Sequence, residues 1–237
     1  MVRISQIHFG SQPLCAFPIN DFGTLLYWLK NHNDHCMHRF LPGLIIETGP
    51  MYSEKTLALI RHLERYRHAL DHVQAFYSSK DTRTIAGSIR TRLLNTSVPA
   101  RPLATITELL THLDAATHVI GIDEAQFFSD VDAVVSTVVH DLIRKRGLRV
   151  IIAGLNLDYA GRPFPVMNAL MPYAEKVNVN PAVCTVPNDT GKCGHPAGYS
   201  QLFLDSELTG AMQTHEIIQQ SSKQDYQPRC ALHYTFG

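Results

Sequence analysis

Residues 45–60 read IIETGPMYSEKTLALI. An apolar run leads into Gly49, Lys55-Thr56 follow, and a second apolar-rich run begins. The order is strand, loop, helix, and the loop nearly spells G-x-x-x-x-G-K-[ST]. In that pattern backbone N–H groups and a helix N-terminus cradle phosphates. The lysine reaches the outer phosphates and the hydroxyl holds Mg²⁺. Gly49, Pro50, Met51, Tyr52, Ser53, Glu54, Lys55 and Thr56 are the candidate phosphate-binding residues. Glu54 stands where the motif has its second glycine. Taken alone, the loop reads equally well as an ordinary strand-to-helix turn.

Working outward, the same alternation recurs. GLIIETG, HVQAFY, THVIGIDEAQFF and LRVIIAGLNL read as short buried strands. Between them, SEKTLALIRHLERYRHA, ITELLTHLDAA and DVDAVVSTVVHDLIRKRG read as helices. Leu57, Ile60, Leu63 and Leu70 recur near helical spacing in the first of these, and Thr105 with Glu108 suggests a capping box on the second. The third ends in basic residues and Gly147, as helix C-termini favour. Strands alternating with helices predict a mostly parallel α/β sheet flanked by helices. Residues 1–42 look separate. They carry one amphipathic helix capped by Asn20 or Asp21, and then His32, His35, Cys36 and His38 in a polar stretch. A solvated linker explains that stretch better than a metal cluster. The expected organisation is an N-terminal extension (1–42), an α/β domain (43–180) and a small Cys-bearing module (181–237).

Composition limits the function classes. The chain has 237 residues, is 45% hydrophobic, and carries a formal net charge of +0. It is long enough for a sizeable core. It lacks the basic balance expected of a nucleic-acid binder, and no apolar run has the length of a membrane span. The N-terminus has no continuous apolar segment, and Arg and Ser are not enriched, so neither a secretory signal nor a transit segment is read there. Three of the five cysteines, Cys184, Cys193 and Cys230, fall late in the chain, where metal binding is a better reading than disulfides.

Two further groups carry chemistry. VIGIDEAQFF ends in Asp123-Glu124. A carboxylate at the tip of a parallel strand sits beside a phosphate loop and can hold Mg²⁺, and its neighbour can take a proton from an attacking hydroxyl. Cys184, Cys193, Cys230 and His233 supply four zinc ligands. Cys230 and His233 have ligand spacing. The loop between Cys184 and Cys193 is longer than the usual knuckle, and His195 is an alternative to one of them.

Together these pieces resemble the type II thymidine kinases, the cytosolic kind with a zinc-bearing lasso domain. The family's loop reads like GPMFSGKT against GPMYSEKT here, and its carboxylate strand like IGIDEaQFF against IGIDEAQFF. AGLNLDYAGRPF (153–164), AEKV (174–177) and YQPRCALHY (226–234) also match family patterns. The resemblance spans about 43–234. It implies a phosphate-loop NTPase core plus a zinc-binding lasso domain, with ATP, Mg²⁺ and structural Zn²⁺ as cofactors. The implied reaction moves the ATP γ-phosphoryl group to the 5′-hydroxyl of thymidine or deoxyuridine. By matching position, Lys55, Thr56 and Asp123 serve ATP and Mg²⁺, Glu124 is the general base, and Arg83 reaches the phosphates. Met51, Phe128, Leu155, Tyr159 and Phe164 match the thymine pocket, and Ser200 and Tyr226 match lasso contacts. A cytoplasmic homotetramer acting on a small nucleoside, with neither nucleic acid nor membrane as partner, is also implied.

Three departures qualify the resemblance. Glu54 replaces a glycine that permits unusual backbone and close approach to phosphate. Gln219-Gln220 stand where the family tends to have a Gly-Gly pair in the lasso. The Cys184–Cys193 loop is long. A nucleoside-binding homologue with weakened catalysis, or another phosphate-loop ATPase, are the alternatives.

Overall fold

The computed structural model describes residues 41–70, 72–81, 87–91, 96–204 and 224–236. The N-terminal extension with its expected helix and His/Cys stretch, Arg83, and Gln219-Gln220 lie outside the described residues. Six strands form the main sheet: β1 (Gly43–Gly49), β2 (Val73–Ser78), β5 (Arg101–Leu103), β6 (Val119–Asp123), β7 (Arg149–Leu155) and β8 (Lys176–Val179). Their order is β5-β2-β6-β7-β1-β8, and every neighbouring pair runs parallel. The α/β reading therefore holds.

The strands read as unbroken apolar runs because both faces are covered. Leu44, Ile46, Ile120, Ile122, Val150 and Ile152 face one layer, with Phe128, Phe164 and Met167. Ile45, Val119, Ile151 and Ala153 face the other, against Leu59, Ile60 and Leu63 of helix α1 (Lys55–Arg67). Gly121 in β6 is the contact point: a Cβ there would lie 2.7 Å from Leu63 Cδ1, so α1 packs flush on the sheet. This close seating holds the start of α1 against the strand tips.

Some local expectations change. The second helix shrinks to a 3₁₀ turn (Ile106–Glu108) and α2 (Leu109–His112). Thr105 makes no capping bond; Glu108 Oε2 instead accepts from Ala104 N at 2.9 Å. The third helix starts as α3 (Val131–Val135), capped by Asp130 Oδ1 accepting from Ala133 N at 2.9 Å, and continues as a π-helix over Ser136–Lys145. Strands β3 (Ser88–Arg90), β4 (Ser97–Pro99) and β5 lie in a stretch without strong periodicity, which the sequence reading leaves unassigned. Helix α4 (Pro165–Leu170) begins with proline at its first turn, where a missing N–H costs nothing.

Beyond β8 come four two-residue strands, β9 (Ala182–Val183), β10 (Pro187–Asn188), β11 (Gly191–Lys192) and β12 (Pro196–Ala197), and the longer β13 (Tyr199–Leu204), which pairs with β14 (Gln224–Arg229). Their small core is Ala182, Cys184, Ala197 and Cys230.

Candidate functional site

The loop leaving β1 makes three turns in the left-handed region. Gly49 has φ 143°, Tyr52 has φ 65°, and Glu54 has φ 61°. Gly49 is required sterically: a Cβ there would lie 2.1 Å from the Asn180 carbonyl oxygen. Glu54, at the N-cap of α1, adopts the backbone that a glycine would adopt freely. For a non-glycine residue this stores roughly 1–3 kcal/mol of strain. The exposed Glu54 side chain makes no capping bond. So the loop keeps its glycine-type backbone in spite of the substitution.

Inside the loop, Ser53 Oγ donates to the Pro50 carbonyl at 2.8 Å. Lys55 Nζ donates to the same carbonyl at 2.6 Å and to Ser53 Oγ at 3.3 Å. The ammonium is thus folded over the loop mouth. An open cavity of about 270 Å³ lies beside it, lined by Tyr52, Ser53, Glu54, Ala58, Arg61 and Asn180 among others. Asp123 and Glu124 are not part of that cavity's wall.

The carboxylates come in from β6, two strands over from β1. Thr56 Oγ1 donates to Asp123 Oδ1 at 3.4 Å, and Glu124 N donates to the same oxygen at 3.0 Å. Burial pushes the Asp123 carboxyl up to about 7; the Glu124 charge adds to this, and the hydrogen bonds from Glu124 N and Thr56 only partly offset it. A buried carboxylate beside a hydroxyl suits a hard cation, which takes oxygen ligands. Glu124 sits in the left-handed region at φ 52°, a third such non-glycine position after Tyr52 and Glu54. Gln126, which the sequence reading misses, holds it there. Gln126 Nε2 donates to Glu124 Oε2, while its Oε1 accepts from Leu155 N at 3.1 Å. One amide side chain thus ties the β6 tip to the β7 tip. Its only signal in the sequence is a polar residue inside DEAQFF.

The expected apolar pocket residues gather partly. Phe128, Leu155 and Phe164 share one buried cluster, with Met51 packed against it. Met51 N donates to Ser200 Oγ at 2.9 Å, so β13 reaches the loop. Tyr226 is buried in β14 opposite Leu202. Tyr159 lies in a turn built on buried Asp158, whose carboxylate accepts from Ala160 N, Arg162 N and Arg162 Nε at 2.8–2.9 Å. The Tyr159 carbonyl accepts from Tyr234 Oη at 2.7 Å, and Tyr234 stacks on Tyr199 with ring centroids 4.4 Å apart.

Cys184, Cys193, Cys230 and His233 converge, with all four ligand atoms within 4.8 Å of one another. Cys184 Sγ and Cys230 Sγ lie 3.5 and 3.4 Å from His233 Nδ1, and Cys193 Sγ lies 3.9 Å from Cys230 Sγ. A tetrahedral ion with Zn–S of about 2.3 Å sets its ligands roughly 3.5–3.8 Å apart. The four residues fit zinc. The long Cys184–Cys193 loop is no obstacle, because the β10–β11 hairpin folds it back: Cys193 N donates to Val186 O at 2.7 Å and Gly194 N to Cys184 O at 3.1 Å. His195 contributes through its backbone, its carbonyl accepting from Cys184 N at 2.9 Å and its N–H bonding Cys193, and its side chain stands outside the cluster. The Cys184 thiol is shifted down to about 6: burial opposes ionisation, but N–H groups of Val186 and Cys230, with His233, outweigh it. A thiol held so low is ready to serve as thiolate ligand.

Comparison with known proteins agrees with this geometry. The family model "Thymidine kinase" matches residues 43–234. A thymidine kinase of Roseiflexus castenholzii is 35% identical over 200 residues, covering 84% of this chain and 98% of the relative. One from Bdellovibrio bacteriovorus is 34% identical over 183 residues, covering 77% of this chain and 84% of the relative. The chain belongs to the thymidine kinase family.

Proposed function

We infer that the protein is an ATP-dependent thymidine kinase, which transfers the γ-phosphoryl group of ATP to the 5′-hydroxyl of thymidine or deoxyuridine. The observation that carries this reading is the 3.4 Å contact between Thr56 Oγ1 and Asp123 Oδ1, which joins the phosphate loop to the carboxylate strand. In this reading the Gly49–Thr56 backbone cradles the ATP phosphates, and Lys55 exchanges its bond to Pro50 for the outer phosphates. Thr56 and Asp123 would hold Mg²⁺, which neutralises charge on the transferring phosphoryl group. Glu124, fixed by Gln126, accepts the proton of the 5′-hydroxyl as its oxygen attacks phosphorus and the ADP oxygen leaves. Arg83 is assigned to the phosphates by family resemblance. Met51, Phe128, Leu155, Tyr159 and Phe164 form the apolar walls that a methylated pyrimidine needs, with Ser200 and Tyr226 contributing from the lasso. Cys184, Cys193, Cys230 and His233 hold structural zinc. The resemblance extends the reading to a cytoplasmic homotetramer. Among the described residues no helix is long and apolar enough to cross a membrane.

The test is an initial-rate screen of nucleosides with Mg-ATP. Thymidine and deoxyuridine should be phosphorylated in preference to purine nucleosides and cytidine. ATP turnover that ignores the nucleoside would favour the alternative of a different phosphate-loop ATPase.

A further inference from the structure

The strand GLIIETG carries one charge in an otherwise apolar run, and that charge is buried. Glu47 is 2% exposed, on the α1 face of β1. Three side chains from two other elements converge on it. His62 Nε2 on α1 lies at 3.0 Å from Oε1. Asn178 Nδ2 on β8 donates to Oε1 at 2.6 Å, and Asn180 Nδ2, just past β8, donates to Oε2 at 2.8 Å. Burial alone would raise this carboxyl, yet the bonds from His62, Asn180 and Asn178 outweigh it and hold Glu47 below its ordinary range. The anion is therefore the form that the surroundings are built for.

Asn180 is the link from this network to the loop. Its backbone N donates to Thr48 O at 2.7 Å, and its carbonyl is the atom that crowds Gly49. Asn180 also lines the same cavity as Tyr52, Ser53 and Glu54. The loop's first residue is thus crowded by Asn180, which bonds Glu47, and the helix that follows the loop is tied to Glu47 through His62, about two turns in. Buried, fully bonded polar networks fix one geometry rigidly, and strained backbone persists only where its surroundings over-determine it.

We propose that Glu47 is a positioning residue, which with His62, Asn178 and Asn180 clamps the phosphate loop in its glycine-type backbone despite Glu54. The functional part of this claim rests on the ATP reading above; the structural part does not. Hydrogen exchange of the loop without ligand tests the structural part directly. In Glu47→Gln, which keeps size but replaces one accepting oxygen by an amide donor that faces one or two of these partners, amides of residues 49–56 should exchange at least tenfold faster than in wild type. The KM for ATP should rise about five- to tenfold while the KM for thymidine stays within twofold. Asn180→Ala, on the partly exposed link, gives the same pattern at smaller amplitude should Glu47→Gln fold poorly. Adding Glu54→Gly to Glu47→Gln should restore most of the loop protection, because glycine holds that backbone without a clamp. Wild-type exchange rates in both single variants, or equal losses with and without Glu54→Gly, would overturn the proposal. A wild-type protein that fails to bind ATP, yet shows the exchange pattern, would refute the kinase reading and leave the clamp standing.

Discussion

The strand-tip site and the cysteine module of this chain are built on opposite principles. The first stands on a six-stranded parallel sheet whose two faces bury large aliphatic side chains such as Leu44, Ile46, Leu59 and Leu63. That scaffold is stiff enough to hold Tyr52, Glu54 and Glu124 in left-handed backbone. The second rests on four two-residue strands, the β13–β14 pair and a core of Ala182, Cys184, Ala197 and Cys230. So few apolar groups bury too little surface to offset the entropy of ordering the loops. The difference teaches where each region would draw its order from: packing holds the phosphate loop, and in the proposed reading metal–thiolate bonds hold the module.

That contrast makes the largest expected effect the loss of zinc. Cys230→Ser should abolish zinc binding and, with it, thymidine binding. Structural zinc contributes on the order of 10–16 kcal/mol in small sites, far more than this core supplies. ATP binding at the loop should survive. Metal analysis with separate thymidine and ATP titrations reads this, and simultaneous loss of both ligands would break the contrast.

Next in size is Glu124→Gln. Removing a general base costs about 10²–10⁴-fold in kcat. The affinity for ATP should change little, because Glu124 faces the acceptor side of the site in the proposed reaction. A variant with wild-type kcat on thymidine would refute the assignment.

Glu54→Gly sharpens the claim that packing stores strain in the loop. Relief of roughly 1–3 kcal/mol, if recovered on binding, tightens ATP about tenfold for each 1.4 kcal/mol. Titrating ATP at fixed Mg²⁺ measures it. Unchanged or weaker binding would mean that the Glu54 backbone carries no recoverable strain, or that its carboxylate helps the site.

A further expected effect concerns pH. Asp123 titrates at about 7 in the folded protein against 3.8 ordinarily, with burial as the main cause and Glu124 second. Between those values the folded state binds the extra proton, so Asp123 makes stability fall as pH rises from about 4 to about 7. Thermal melts without added Mg²⁺ should show that decline, and Asp123→Asn should flatten it. A steeper decline in the variant would contradict the sign.

Much of this was legible in the sequence, for physical reasons. Buried parallel strands must be apolar throughout, so GLIIETG, THVIGID and LRVIIAGL announce themselves. The loop and the Asp123-Glu124 pair have fixed types because phosphate and cation chemistry allows few others. The Cys/His set was readable as ligands, but the hairpin that closes Cys193 onto Cys230 was not. Its strands are two residues long and have no periodicity to detect. Gln126 and the Glu47 network escaped for a different reason. Each has a partner far along the chain, Leu155 for Gln126 and Asn178 and Asn180 for Glu47, and only the fold brings them together.

The most direct measurement is phosphorus NMR of a reaction containing the wild-type protein, Mg-ATP and thymidine. Thymidine 5′-monophosphate and ADP should appear in equal amounts, and ADP should not accumulate when thymidine is left out. ADP forming with inorganic phosphate and no nucleotide ester, or no conversion at all with zinc bound, would contradict the kinase account.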